Sequence, residues 1–197
     1  MMDLVTTNLL NSFREQQGFA QDLGIATLFE HFANFCVASN EYSDEFEVED
    51  VHVAGGNDLQ LDGIMVIVNG VLIQSMDEVD DLAQMNRYLD AEFIFVQAKT
   101  GSDFSGAEIS NMFYGVRELF AVTPSLPRNE AVAEKEAVIR HIYTKSALFR
   151  HGNPRLTLYY VTTGKWQQDQ QLVSRIQNEI ASLDELNIFH ASPYLNR

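Results

Sequence analysis

The spacing of apolar and polar positions predicts a chain in which helices surround a small sheet. Apolar residues recur with helical spacing in six segments, which are residues 3–17, 19–39, 77–88, 105–120, 129–149 and 167–183. Shorter runs that are apolar on one or both faces predict strands, at residues 46–53, 63–68, 71–74, a run ending at 99, 156–161 and 186–190. Asn69-Gly70 separates two of these runs and indicates a hairpin, because both residues tolerate a positive φ.

The order of these elements predicts an α/β fold. Two helices precede a meander of three or four strands, and a β-α arrangement closes the chain, which favours a mixed sheet of four to five strands flanked by helices. The first helix forms an N-terminal helical extension. No linker, repeat or low-complexity segment interrupts the chain, so residues 1–197 are predicted to form one domain.

Composition narrows the class of protein. The chain has 197 residues, 46% of them hydrophobic, which is enough for one well-filled core. There is no apolar run of about 18 residues that would span a membrane, and the N-terminus lacks the basic region of a secretory signal. Cys36, predicted to be a buried helix thiol, is the only cysteine, which excludes an intrachain disulfide and a multi-cysteine zinc site. A cytoplasmic protein without a membrane partner is expected.

Charge is distributed unevenly along the chain. The net charge is −15, yet 11 of the 13 Lys and Arg residues lie at or beyond position 99. Six of them fall within residues 128–155. This asymmetry predicts an acidic, solvated side and a milder side that could face a polyanionic substrate.

Candidate chemistry centres on two short stretches. Gln97-Ala98-Lys99 ends an apolar strand, and the alternation of side chains along a strand places Gln97 and Lys99 on one face. Asp62 begins the hairpin strand, so pairing of the two strands would bring its carboxylate to the same edge. Asp62, Gln97 and the carbonyl oxygen of Ala98 would then offer hard oxygen ligands for Mg²⁺ or Mn²⁺.

Lys99 completes a set of groups suited to phosphodiester hydrolysis. Its ammonium would stabilise charge on a phosphate oxygen or help to orient and deprotonate an attacking water. The sequence contains no Gly-rich phosphate loop, His-Glu-x-x-His motif or Gly-x-Ser-x-Gly elbow. A metal-dependent nuclease is therefore the preferred hypothesis.

The two stretches resemble a known superfamily. The stretch GGNDLQLDGI (55–64) followed by FVQAKT (95–100) looks like the PD-(D/E)XK, or restriction-endonuclease-like, nucleases. The glutamine at the second acidic position is similar to that of the Mrr-type variant. The likeness is closest to the N-terminal region of abortive-infection phage-resistance (AIPR) proteins, which also carry a stretch similar to LYYVTTG (158–164). It covers a core of about residues 20–165, with residues 1–18 and 156–197 packed on it.

The resemblance implies specific roles. Asp62 matches the metal-binding aspartate, Gln97 the acidic position and Lys99 the catalytic lysine, with Mg²⁺ or Mn²⁺ as cofactor. Many members add an acid from a preceding helix, and the matching residue is Glu30, whose helical neighbours are small and apolar. It further implies an enzyme of bacterial phage defence that cuts nucleic acid, DNA ahead of RNA. The remainder of a longer chain, a partner protein or a homodimer would complete it.

Other interpretations remain open. The fold could be a catalytically weak or inactive nuclease-like module that binds protein or nucleic acid, since Gln97 is neutral and the first half of the chain is acidic. A plain structural or oligomerisation domain would place Gln97 and Lys99 in solvent, far from Asp62. Asp58 is either an Asx-turn residue or the metal ligand in place of Asp62. The spacing of Ser105 and Glu108 fits a helix capping box.

Overall fold

The computed structural model describes residues 2–167 and 169–190. The helices are α1 (Leu4–Gln17), α2 (Ile25–Glu41), α3 (Met76–Asn86), α4 (Gly106–Phe120), α5 (Glu130–Thr144) and α6 (Gln170–Asp184). The strands are β1 (Gly63–Val68), β2 (Val71–Leu72), β3 (Ala91–Lys99) and β4 (Arg155–Thr162), with 3-10 turns at Val48–Asp50 and Ser146–Leu148. The predicted α/β class, a mixed four-stranded sheet flanked by helices with a helical N-terminal extension, is confirmed.

The sheet has the strand order β2-β1-β3-β4. β1 pairs antiparallel with both β2 and β3, and the β1–β2 turn uses Asn69 and Gly70 with positive φ, as the hairpin signal predicted. β3 pairs in parallel with β4, from Glu92 opposite Arg155 to Lys99 opposite Thr162. Because β1 runs antiparallel to β3 and β4, the first residue of β1 and the last residues of β3 and β4 lie at the same end of the sheet.

Helices cover both faces of the sheet. The face built by Phe93 and Phe95 packs against α4, α5 and α6 through the largest apolar cluster. The opposite face, which includes Ile94 and Val96, packs against α2, and α1 packs in turn on α2. All six residues of β1 are buried, which explains why this strand is apolar on both faces. Within the described residues, every helix is too short or too polar to cross a membrane.

Two predicted strands are wrong. Residues 46–53 form a 3-10 turn at Val48–Asp50 and one isolated bridge from His52 to Gly63. The side chains of Glu47 and Asp50 bond reciprocally to nearby backbone N–H groups, and such local bonds compete with a strand ladder. Residues 186–190 form no strand either, because Asn187 adopts a φ of 53° that interrupts an extended path.

Several element ends and one burial prediction also need correction. α2 begins at Ile25 rather than near residue 19, and α5 ends at Thr144 with a 3-10 turn in place of its predicted last turn. α6 begins at Gln170 rather than 167. Cys36 lies on α2 as expected, but it is exposed rather than buried, because the buried face of that helix is formed by its neighbours Ala33 and Val37.

Candidate active site

Asp62 is fixed by both its backbone and its side chain at the end of the sheet where β1 begins and β3 ends. Its N–H donates to the carbonyl oxygen of Val96 at 2.8 Å, which extends the β1–β3 register one residue beyond β1. Its carboxylate oxygen Oδ2 accepts the N–H of Ala98 at 2.7 Å. The residue is only 5% exposed. The predicted convergence of the Asp62 strand and the Gln97-Ala98-Lys99 strand is therefore present.

Lys99 lies beside this carboxylate. Its Nζ is 3.9 Å from Asp62 Oδ2, and its side chain is 32% exposed, so the ammonium reaches both the buried aspartate and solvent. A purely structural domain was expected to hold Gln97 and Lys99 in solvent, far from Asp62, and that expectation is wrong. Asp62 and Lys99 instead form an ion pair in which the aspartate is buried and the lysine side chain is partly exposed to solvent.

Gln97 is the unusual member of the group. It is 0% exposed, and neither Oε1 nor Nε2 has a hydrogen-bond partner in the part of the chain that the structure describes. An unsatisfied buried amide group costs about 1–3 kcal/mol, and native proteins rarely keep one without a reason. By strand alternation the side chain shares the face of Phe93 and Phe95, and the register places it next to Asp62. A ligand for the Gln97 amide would remove this cost.

Glu30 brings a second carboxylate towards the site. It lies on α2, is half-buried, and forms no hydrogen bond or ion pair with any other described residue. Burial, the largest cause, and the negative charge of Asp62 raise the pKa of Glu30, the positive charge of Lys99 lowers it, and the resulting pKa is about 7. Glu30 therefore shares an electrostatic environment with the two residues at the end of the sheet.

The same effects act on Asp62. Burial raises the pKa of the Asp62 carboxyl, while the Ala98 N–H bond and the Lys99 charge lower it, and Asp58 adds a smaller rise. Two carboxyl groups that both resist ionisation in one location form an environment that favours a cation. Such an environment is typical of sites that bind metals or transfer protons.

The available donors suit a hard divalent cation. They are the Asp62 carboxylate and the backbone carbonyl of Ala98, which strand alternation places on the side of Asp62. The Gln97 amide oxygen adds to them from the face covered by α4, α5 and α6, and the Glu30 carboxylate from α2, which covers the opposite face. In residues 2–167 and 169–190, no three His, Cys, Asp or Glu side chains gather closely enough to hold a metal. The candidate donor set is thus mixed, and the orphaned amide of Gln97 is the feature that fits a metal.

The titration of Glu30 tests this proximity. Replacing Asp62 with Asn removes a negative charge and should lower the pKa of Glu30, whereas Lys99→Met removes a positive charge and should raise it. Asp58→Asn should lower it less, since Asp58 contributes least. The measurement is carbon-detected NMR of the Glu30 carboxyl between pH 5 and 9. An identical Glu30 titration in all variants would contradict this arrangement.

The raised pKa also predicts a pH dependence of stability. The folded chain keeps the Glu30 proton up to about pH 7, whereas an unfolded glutamate releases it near 4.5. The stabilising contribution of protonated Glu30 is therefore complete below pH 4.5 and is lost as the pH rises through 7. In urea unfolding across this window, wild type should lose stability relative to Glu30→Gln.

Asp58 shapes the turn before Asp62. Its Oδ1 accepts the N–H of Gln60 at 2.8 Å, and its Oδ2 accepts the N–H of Gly55 at 3.2 Å. This supports its interpretation as an Asx-turn residue, with its carboxylate already occupied by the loop. The next two residues, Leu59 and Gln60, both have φ near 60°, a conformation that costs energy for non-glycine residues and is common beside functional sites.

Asn34 and His52, which the sequence did not single out, support Asp62 from the α2 side. Asn34 Nδ2 donates to the Asp62 carbonyl oxygen at 2.8 Å and lies 3.3 Å from Nδ1 of His52. A Cβ at Gly63 would come within 2.7 Å of Asn34 Cγ, so the glycine after Asp62 makes room for this amide. The ring of His52 stacks on that of His31 at 3.9 Å. Gly63, a glycine at the first position of a buried strand, is the one sequence signal that could have indicated the contact with Asn34.

The LYYVTTG stretch has a positional role. Thr163 donates its N–H to the Gly101 carbonyl oxygen at 3.2 Å and its hydroxyl to the same oxygen at 2.9 Å. The Thr162 hydroxyl donates to that oxygen as well. A Cβ at Gly164 would come within 2.6 Å of the Ser102 carbonyl carbon. The end of β4 therefore fixes residues 100–105, the loop that follows Lys99.

The predicted capping box at the start of α4 is half formed. Ser105 Oγ accepts the N–H of Glu108 at 3.3 Å, but Glu108 Oε2 instead accepts the hydroxyl of Tyr160 at 2.8 Å. Tyr160 lies opposite Gln97 in the β3–β4 register. A polar row thus runs across the sheet from Asp62 through Gln97 to Tyr160 and Glu108.

The basic segment 128–155 is largely neutralised. Arg128 and Arg140 both pair with Glu136, and other carboxylates pair with Lys145 and Arg155. These cations stabilise the fold on the side of α5 and at the start of β4. The expectation that this segment offsets the acidic charge towards a substrate is not supported by these contacts.

In comparisons with known proteins, no protein-family model, no curated protein and no solved structure gives a significant match to this chain.

Proposed function

We propose that this protein is a metal-dependent nuclease that hydrolyses phosphodiester bonds at the end of its sheet where Asp62 and Lys99 meet, which we call the catalytic end. One observation carries the proposal: a buried carboxylate, a lysine ammonium 3.9 Å away and a fully buried glutamine amide without a partner among the described residues lie at this end. Each was expected there from the resemblance to PD-(D/E)XK nucleases.

The metal would be Mg²⁺ or Mn²⁺. Asp62, Gln97 and the Ala98 carbonyl would hold it, with Glu30 as a further carboxylate from α2. When bound, the ion would supply Lewis-acid stabilisation of the phosphate oxygens and a lowered pKa of its bound water. The Gln97 amide would then gain the partner that it lacks among the described residues.

The residues of the chain have separable tasks in this proposal. The Ala98 N–H and the Lys99 ammonium hold Asp62 in one orientation. Lys99 Nζ, which is partly exposed, donates hydrogen bonds to a phosphate oxygen on which negative charge develops. Glu30 would act as a ligand from α2, since a bound cation would offset the Asp62 charge that raises the Glu30 pKa. Burial of Asp62 and Gln97 keeps bulk water from competing.

The biological setting rests on the resemblance to AIPR proteins. It suggests a cytoplasmic enzyme of bacterial phage defence, acting on DNA ahead of RNA. The resemblance also suggests that further chain, a partner protein or a second copy contributes to substrate binding, which accords with a net charge of −15.

A titration with Mn²⁺ of wild type and Gln97→Glu tests the metal site. Without metal, glutamate at this buried position should destabilise the fold by about 1–3 kcal/mol, because a carboxyl replaces an amide where no partner exists. With metal, the added negative ligand should tighten binding by roughly tenfold. Calorimetry measures the Mn²⁺ affinity. Urea unfolding measures whether Gln97→Glu is less stable than wild type without Mn²⁺ and more stable than wild type with it.

Gln84→Glu is the matched control, since it makes the same charge change at an exposed position on α3. It should leave Mn²⁺ affinity unchanged. Cleavage assays on single- and double-stranded DNA and RNA accompany the titration, and wild type should cut at least one of them. Absence of Mn²⁺ binding in both wild type and Gln97→Glu would refute the proposal and leave a nuclease-like binding module as the alternative.

A further inference from the structure

The geometry points to a binding surface for single-stranded nucleic acid beside the catalytic end, formed by Phe104, Lys165, Trp166 and Arg175. We call it the aromatic–basic surface. This inference rests on the proposed function, which makes nucleic acid the substrate. It adds where the substrate binds and that the bound substrate is single-stranded. Four observations support it.

First, this surface carries two exposed cations without carboxylate partners. No ion pair or hydrogen bond joins Lys165 to another described residue, and Arg175 donates only to the Gly106 carbonyl oxygen at 3.4 Å. Most other cations of the described chain are paired or enclosed. An unpaired surface cation keeps its full attraction for a phosphate, whereas a paired one does not.

Second, two aromatic residues are close to these cations: Trp166 follows Lys165 in the chain, and Phe104 lies two residues before Gly106, which Arg175 contacts. Trp166 and Phe104 pack edge to face with centroids 5.0 Å apart, and Phe104 also contacts Tyr160 at 6.0 Å. Trp166 and Phe104 remain partly exposed. Cations that alternate with partly exposed aromatic rings are the usual combination for single strands, whose unpaired bases stack on such rings. A duplex hides its base faces and could use only the cations.

Third, the surface is held in place and joined to the site. Phe104 belongs to residues 100–105, which begin directly after Lys99 and are bonded to Thr163. Lys165 and Trp166 follow Gly164, which packs on the Ser102 backbone. Arg175 lies on α6 over the first residue of α4. All parts therefore connect to the loop after the candidate catalytic lysine.

Fourth, the acids of the neighbouring segments form no ion pair with Lys165 or Arg175 among the described residues. Asp169 caps α6 by accepting the Leu172 N–H at 2.9 Å, and Glu108 accepts the Tyr160 hydroxyl. Asp103 is exposed and forms no ion pair with another described residue. These carboxylates keep their negative charge, but none of them occupies the ammonium of Lys165 or the guanidinium of Arg175, so both groups can contact a phosphate.

Trp166 makes the test direct, because it is the only tryptophan in the chain. Its fluorescence is followed while oligothymidylate or oligouridylate of about 15 nucleotides is added in EDTA, so that the readout needs neither metal nor hydrolysis. Binding should quench Trp166. The double variant Lys165→Gln, Arg175→Gln should bind about tenfold more weakly. It should also lower the slope of log K against log salt by about 1.4, roughly 0.7 per lost contact.

The matched control is Arg87→Gln, Arg150→Gln, which removes two cations at the opposite end of the sheet, one of them stacked over Tyr88. It should change affinity less than twofold. No quenching in wild type, an equal loss in both double variants, or equally tight binding of a blunt duplex would overturn the inference. Quenching with normal Mn²⁺ binding but no cleavage would overturn the proposed activity alone. Cleavage without quenching would overturn the binding surface alone.

Discussion

Asp62→Asn is expected to abolish both Mn²⁺ binding and nucleic-acid cleavage while leaving the fold intact. Asp62 is the most firmly held of the candidate ligands: its backbone N–H donates to the Val96 carbonyl oxygen, and its carboxylate accepts the Ala98 N–H. Asparagine keeps the shape and an oxygen that accepts the Ala98 N–H, so urea stability should change by less than about 1 kcal/mol. Cleavage should fall by more than about 100-fold, because the negative ligand is lost.

Two companion variants make this result specific. Asp58→Asn changes an acid four residues away whose oxygens serve the loop, and it should retain Mn²⁺ binding and cleavage. Lys99→Met should bind Mn²⁺ at least as well as wild type, since a neighbouring positive charge is removed, yet lose about 10²–10⁴-fold in rate. If Asp62→Asn cleaved at the wild-type rate, the assignment of the site would fail.

Gly115→Ala is expected to destabilise the protein by about 3 kcal/mol, although alanine normally favours a helix. Gly115 lies within α4, where a Cβ would overlap the carbonyl oxygen of Leu59 and come within 2.8 Å of its carbonyl carbon. Both groups belong to the backbone, so neither can rotate away. The turn of Leu59 and Gln60 would have to shift, and Asp62 follows Gln60 by two residues.

Gly115→Ala should therefore weaken Mn²⁺ binding as well as stability. Urea unfolding and calorimetry measure the two effects, at pH 7 and constant salt. Gly56→Ala is the matched control, since it lies in the same loop with nothing within 4 Å of an added Cβ, and it should change stability by less than about 0.5 kcal/mol. A Gly115→Ala protein as stable as Gly56→Ala would show that α4 does not hold the turn.

Most of the sheet could be predicted because its strands are strongly patterned. β1 and β3 are buried on both faces and read as continuous apolar runs, and the Asn69-Gly70 turn sets the pairing of β1 with β2. Residues 46–53 have a similar alternation but form a 3-10 turn, because Glu47 and Asp50 satisfy the backbone locally. The spacing of apolar residues indicates which residues are buried. It does not indicate where local side-chain hydrogen bonds to the backbone replace the hydrogen bonds of a strand.

The candidate site was predictable where it depends on strand geometry. The convergence of Asp62 and Lys99 follows from alternation and antiparallel pairing. The supporting contacts were not predictable, since Asn34 reaches the Asp62 carbonyl from 28 positions earlier in the chain. The Thr163 contacts with Gly101 depend likewise on the parallel pairing of β3 and β4. Such contacts are set by tertiary packing, which a local pattern does not contain.

The anchoring of residues 100–105 by Thr162 and Thr163 also bears on the order of events during synthesis. The two segments are separated by more than 60 residues, and parallel pairings between distant segments form late in folding. A nascent chain that has emerged only through α5 holds Asp62 and Lys99 but not the strand that anchors the loop after Lys99. The loop beside the candidate site is therefore anchored only after β4 has left the ribosome, so the candidate site is completed late in synthesis.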